Sequence, residues 1–183
     1  MGIPTLITTN TATSNVTEMD FSSGITSAYD EYMFVFTNID HAGSEVDFQF
    51  QVNATDGADY NDSAITSTAF WARHGEDDST FFAYVTADDL AQGTGYQNLT
   101  NYSGNAADES INGTLWLFNP SNTTYVKHFY ATLSANDAGS GTAQSADNFF
   151  VGGYVNSTSD IDAVDFKMDS GNFDGTIKLY GVG

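Results

Sequence analysis

In EVDFQFQV, residues 45–52, Val46, Phe48, Phe50 and Val52 alternate with Glu45, Asp47, Gln49 and Gln51. Successive side chains of an extended chain point to opposite faces, so this pattern predicts a half-buried strand with one wet face. A helix would scatter the same residues around its circumference. A second stretch, YDEYMFVFTNID at residues 29–40, is apolar on both faces over Met33-Phe34-Val35-Phe36. That predicts a central strand covered by a second sheet.

Period-2 patterns recur at residues 5–9, 16–21, 65–71, 81–86, 114–118, 125–134, 148–154, 163–168 and 176–182. Turn formers such as Asp56-Gly57, Gly93-Thr94-Gly95 and Asn119-Pro120 lie between them. Residues 135–146 read as a long flexible loop, and only residues 87–92 have the makings of a helical turn. Some ten strands at near-regular spacing predict an all-β fold, an antiparallel β-sandwich of the jelly-roll kind, in a single domain over residues 1–183. Residues 1–10, apolar at Ile3, Leu6 and Ile7, read equally well as an extended arm or as the first strand. No internal repeat and no heptad pattern is visible.

There is enough apolar matter to fill such a sandwich: 40% of the 183 residues are apolar and 14% aromatic, which excludes a disordered chain. Charge narrows the partners. The 24 Asp and Glu stand against Arg73, Lys127, Lys167 and Lys178, a net charge of −20. Such a surface repels phosphate backbones and anionic lipid, so neither nucleic acid nor a membrane is expected as a partner. It stays soluble where salt screens self-repulsion, which suits a marine or halophilic setting. The absence of cysteine rules out disulfides and thiolate metal sites. MGIPTLITTN lacks the basic segment and apolar run of a signal peptide, and no apolar run approaches the length of a membrane-spanning helix. A soluble chain made in the cytosol is the expectation.

Candidate sites can each be set against a plainer reading. Some sandwiches hydrolyse glycans with a Glu-x-Asp-x-Glu strand, where retention needs two carboxyls about 5–5.5 Å apart. Here Glu45-Val46-Asp47-Phe48-Gln49 supplies two acids and then an amide, which cannot serve as a general acid. A solvated strand face explains it as well. The histidines are His41, His74 and His128, and no Gly-x-Ser-x-Gly elbow accompanies them. His41 and His74 read as surface loop residues and His128 as a packed or interfacial strand residue. Asp56, Asp59 and Asp62, and the run Glu76-Asp77-Asp78, could gather oxygens around Ca²⁺, but neither has EF-hand spacing. Trp71 and Trp116 could form a sugar-stacking platform, although Trp116, between Leu115 and Leu117, reads as core. Asn-x-Ser/Thr sequons begin at Asn15, Asn53, Asn61, Asn98, Asn101, Asn112, Asn122 and Asn156, and matter only in a host that modifies them. The expectation is no catalytic, cofactor-binding or metal-binding residue and no enzymatic activity.

Two segments carry a more specific signal. ITSAYDEYMFVFTNI (residues 25–39) and MDSGNFDGTIKLYGVG (residues 168–183) resemble the opening and closing strands of small β-sandwich virion proteins from tailed viruses of marine bacteria or halophilic archaea. The match covers the two ends and leaves the middle unmatched. The resemblance implies a structural virion protein without catalytic residues, working as a homotrimer and bound to the major capsid protein or other virion proteins. Without shaft repeats or heptads, a capsid decoration or cement protein on the outer head surface fits better than the alternative, a tail-fibre or receptor-binding component. A free carbohydrate-binding, lectin-like module is the second alternative. In the closing strand, Ile177 and Leu179 face one way and Lys178 and Tyr180 the other, and pairing beside residues 32–36 would close the sheet.

Overall fold

Alternation in the sequence becomes thirteen antiparallel strands in two sheets in a computed structural model that describes residues 2–43, 45–54, 59–101, 103–137 and 144–183. Among the described residues there is no helix, and hence none that could cross a membrane. The large sheet runs β1 (Thr5–Val16), β13 (Phe173–Val182), β3 (Glu31–His41), β9 (Ile111–Phe118), β10 (Lys127–Asp137), β11 (Ser145–Val155), β5 (Ile65–Gly75) and β6 (Thr80–Tyr84). Strand β7 (Ala91–Gly93) also pairs with β5. The small sheet runs β2 (Glu18–Phe21), β12 (Ile161–Met168), β4 (Phe48–Ala54) and β8 (Gln97–Asn98).

One apolar cluster, drawn from the inner faces of both sheets, fills the space between them. Phe166 of β12 is its hub. Its ring lies 5.1 Å from that of Phe34 and 5.2 Å from that of Phe36 on the large sheet, and 5.9 Å from that of Phe48 on the small one. Most of these contacts are edge-to-face, the arrangement the ring quadrupole favours. Each phenylalanine buried this way contributes about 2–3 kcal/mol of transfer free energy.

The two ends of the chain meet as the alternation predicts. β13 lies between β1 and β3, pairing Ile177 with Phe36 and Leu179 with Phe34. The ring of Tyr29 packs where a Cβ on Gly181 would stand, only 2.2 Å from the Tyr29 ring, so this position excludes every side chain. Residues 5–10 belong to β1 and are paired with β13, which makes them a first strand.

β3 is a central strand covered by a second sheet, and the covering is on one face: Phe34 and Phe36 are buried against Phe166, while Met33 and Val35 sit half-buried on the outer face. Three expectations change. The second face of residues 45–52 is not wet, because Gln51 is fully buried and Asp47 nearly so. The Gln51 amide donates to the carbonyls of Ser63, Thr94 and Gly95, stapling two loops over the small sheet. Residues 87–92 form a turn leading into β7 where a helical turn was expected. At both described ends of the expected loop at 135–146 the chain is ladder, since β10 and β11 pair out to Asp137 and Ser145. Its central part, residues 138–143, lies outside the described residues.

Candidate functional site

The outer face of the large sheet is the broadest surface that the fold leaves uncovered by a second sheet. Parity assigns its residues: with Leu115 and Leu117 in the core, Trp116 and Phe118 must point outward. Strand registers then place Leu6, Tyr180, Met33, Trp116, Tyr130, Gly152 and Thr68 in one row across seven strands. The next row holds Thr9, Lys178, Val35, Thr114, Thr132, Phe150, Phe70 and Tyr84. In a chain with 24 acids, neither row contains one. Lys178 is the single charge among these positions.

Aromatic rings connect the strands across this face. Trp116 and Tyr130 have centroids 6.3 Å apart with planes at 18°, and Tyr130 and Phe150 follow at 6.4 Å and 10°. Phe150 and Phe70 come to 4.7 Å at 18°. At that separation the two rings lie face to face, since rings side by side in one plane would clash. Their faces are therefore largely spent on each other, and their edges meet solvent. Phe82 extends the ladder, 5.9 Å from Phe70 and 73% exposed.

The small sheet has a different outer face. Asp165 of β12 stands in register with Asp20 of β2 on one side and Gln51 of β4 on the other. The Tyr96 hydroxyl donates to Asp165 Oδ2 at 2.8 Å, and that of Tyr60 donates to Asp20 Oδ1. The Lys167 ammonium sits 4.0 Å from the centre of the Tyr96 ring. Burial pushes the Asp165 carboxyl up to about 6, opposed by the Tyr96 hydrogen bond and helped by the charges of Glu18 and Asp20. Burial and the bond to Asp165 likewise push the Tyr96 hydroxyl up. Two facing carboxyls, one holding its proton to near neutrality, have the makings of an acid–base pair. Here only one member is covered: Asp165 is 1% exposed and its Oδ1 is buried without a hydrogen-bond partner, whereas Asp20 is exposed.

The residues singled out in the sequence scatter over the molecule. Glu45 adopts a left-handed backbone (φ 57°) and, like Asp47, precedes β4, so of the three only Gln49 lies on the strand. Asp47 and Gln49 instead join Asn98, whose amide donates to Asp47 Oδ2 at 2.9 Å and to Asp88 Oδ1 at 3.1 Å, and whose Oδ1 accepts from Gln49. Asn101 donates to the same Asp88 oxygen, and burial raises the Asp88 carboxyl despite both amides. His41 is not a surface residue: it is 3% exposed at the end of β3, between the Gly43 carbonyl and the Ser103 hydroxyl, and burial pushes its imidazole down. His74 and His128 lie exposed on the outer face of the large sheet. Trp116 is likewise outward-facing and not in the core. Trp71 packs against the core and stacks on Phe149, with the Arg73 guanidinium over its ring.

Asp59 caps Asn61, and Asp77 caps Ser79 in the turn before β6; Asp56 lies outside the described residues. Among the described residues, no three His, Asp or Glu side chains gather closely enough to hold a metal ion. Of the sequons, Asn98 and Asn101 are committed to the Asp88 network, whereas Asn15, Asn61 and Asn156 are exposed. That network was invisible to sequence reasoning; its only trace is the amide pair in Gln97-Asn98-Leu99-Thr100-Asn101. An open polar groove of about 530 Å³ lies at one end of the outer face, lined by His74, Glu76, Asn112, Ser134, Asn136 and Gln144 among others. The amides of Asn112 and Asn136 are already occupied by backbone and side-chain partners.

No family model matches this chain, and no curated protein or solved structure matches it either.

Proposed function

We propose that this chain is a non-catalytic structural protein of a tailed-virus particle, a decoration protein on the outer surface of the head, held to the major capsid protein through the outer face of its large sheet. The observation that carries this reading is the exclusion of acids from two whole rows of that face, in a chain of net charge −20. Carboxylates cover a surface that only meets water; a surface that must be desolvated against protein is depleted of them and enriched in aromatics. The resemblance of residues 25–39 and 168–183 to virion proteins supports the same reading, and those segments lie side by side as β3 and β13. Acidic loops and the small sheet would then face the medium.

Antibody labelling of particles from the source, imaged by electron microscopy, tests the assignment. Label over the head is the expected result; label confined to the tail, or absent from particles, overturns it. Thr132 is exposed in the middle of the second row, so Thr132→Asp is expected to fold normally yet reduce attachment to particles at least tenfold. The polar groove favours one second reading, a lectin-like module. Mutual stacking of Phe70 and Phe150 argues against it, because sugars stack on free ring faces. Micromolar binding on a glycan array by protein that never associates with particles would establish it instead.

A further inference from the structure

The two edges of the large sheet are built differently. At one edge, β1 is irregular: its register with β13 shifts between Leu6 and Thr8 and again between Ala12 and Val16. Bulges of this kind discourage an edge from accepting another strand. At the other edge, β6 pairs with β5 from Thr80 to Tyr84 without a shift, and among the described residues no strand lies beyond it. Its sequence, Thr80-Phe81-Phe82-Ala83-Tyr84, contains no charge, no proline and no glycine. Phe81, Phe82 and Tyr84 are 42%, 73% and 53% exposed. Lysine, proline and bulges are the usual protections of an edge, and all are missing here.

We propose that β6 is a self-association edge, where two copies of this chain pair β6 to β6, antiparallel about a twofold axis, and join their large sheets. The strand is self-complementary in that register. With five residues, the axis passes through Phe82, which faces its own copy. Thr80 then faces Tyr84 on the outer side, and Phe81 faces the small Ala83 on the inner side. Every cross-strand pair is uncharged, and the Phe82–Phe82 and Thr80–Tyr84 pairs join residues enriched in strands. The aromatic ladder that ends at Phe82 would run on into the second molecule.

Charge makes a second copy distinguishable from a foreign partner. Glu76, Asp77 and Asp78 precede β6, and Asp88 and Asp89 follow it. Antiparallel pairing sets the first group of one copy near the second group of the other. Self-pairing is therefore held back at low salt and released as the screening length falls from about 10 Å at 0.1 M to about 3 Å at 1 M. A cationic protein bound at the same edge would show the opposite dependence.

Because the chain lacks cysteine, a single thiol reports the geometry. Phe82→Cys places two thiols across the axis at a Cα separation of about 4.5–5.5 Å, within the range of a disulfide. Under mild oxidation in 2 M NaCl, that variant is expected to form a covalent dimer at least tenfold faster than Thr132→Cys, which lies away from the edge. Sedimentation of the unmodified chain is expected to show dimers that increase with salt, and Phe82→Lys to leave a folded monomer. Equal cross-linking of the two cysteine variants overturns the proposal. So does a monomer at every salt concentration, or a trimer, which has no twofold axis. None of these readouts involves a particle, so the pairing stands or falls apart from the proposed function.

Discussion

Replacing Asp165 with Asn tests the energetics of this buried carboxyl. Burial and the neighbouring Glu18 and Asp20 raise the Asp165 carboxyl from 3.8 to about 6. The folded state therefore holds this proton more tightly than the unfolded state does. Stability from this group is fully present below about pH 4 and is lost as pH rises towards 6. Above that, the ionised form costs about 3 kcal/mol, from roughly two units at about 1.4 kcal/mol each. Asparagine removes the charge and still accepts the Tyr96 hydrogen bond. Its amide N–H takes the place of an oxygen that has no partner, and that offsets about 1 kcal/mol of the gain. Asp165→Asn is expected to stabilise the protein by about 1–3 kcal/mol at pH 8, a rise of about 3–10 °C in Tm for a chain of this size. At pH 4 the gain should vanish. Thermal unfolding at pH 4, 6 and 8 in fixed salt measures this, always as variant minus wild type. The difference matters because His41, whose imidazole is pushed down from 6.5, acts with the opposite sign, losing stability as pH falls through that value. An equal gain at pH 4 and pH 8, or a loss at pH 8, would refute the argument that a buried charge is the cause.

Further outcomes follow from the packing and the polar network. Phe166→Ala, at the hub of the ring cluster, is expected to cost about 3–5 kcal/mol in denaturant unfolding. Gln51→Leu keeps the volume but leaves the carbonyls of Ser63, Thr94 and Gly95 without their donor, the first of them in a buried residue, and should cost about 1–3 kcal/mol with raised proteolysis of the loops at 59–64 and 94–96. Gly181→Ala should be among the most damaging small substitutions, because Tyr29 has to leave its place; circular dichroism and thermal unfolding would show it. Glu45→Gln is expected to change stability by less than about 0.5 kcal/mol, since Glu45 is exposed and off the strand.

Alternation alone determined a good deal of this protein. It placed Val46, Phe48, Phe50 and Val52 on one buried face, put Phe34 and Phe36 in a central strand, and set Ile177 and Leu179 on the same side of the neighbouring strand. These are local consequences of a repeat of two, and they survive whatever the rest of the chain does. What alternation cannot say is which of the two faces is covered. Asp47, Gln51 and Asp165 sit where the pattern reads water, yet loops at residues 59–64 and 94–96, with β8 after them, cover them. Trp116 stands between two core leucines in sequence and on the opposite face in space. His41 reads as a loop residue in sequence and is buried and hydrogen-bonded at both ring nitrogens in the fold. A residue's parity is fixed by its own backbone, whereas its covering comes from segments tens of residues away, whose positions only the assembled sheets decide.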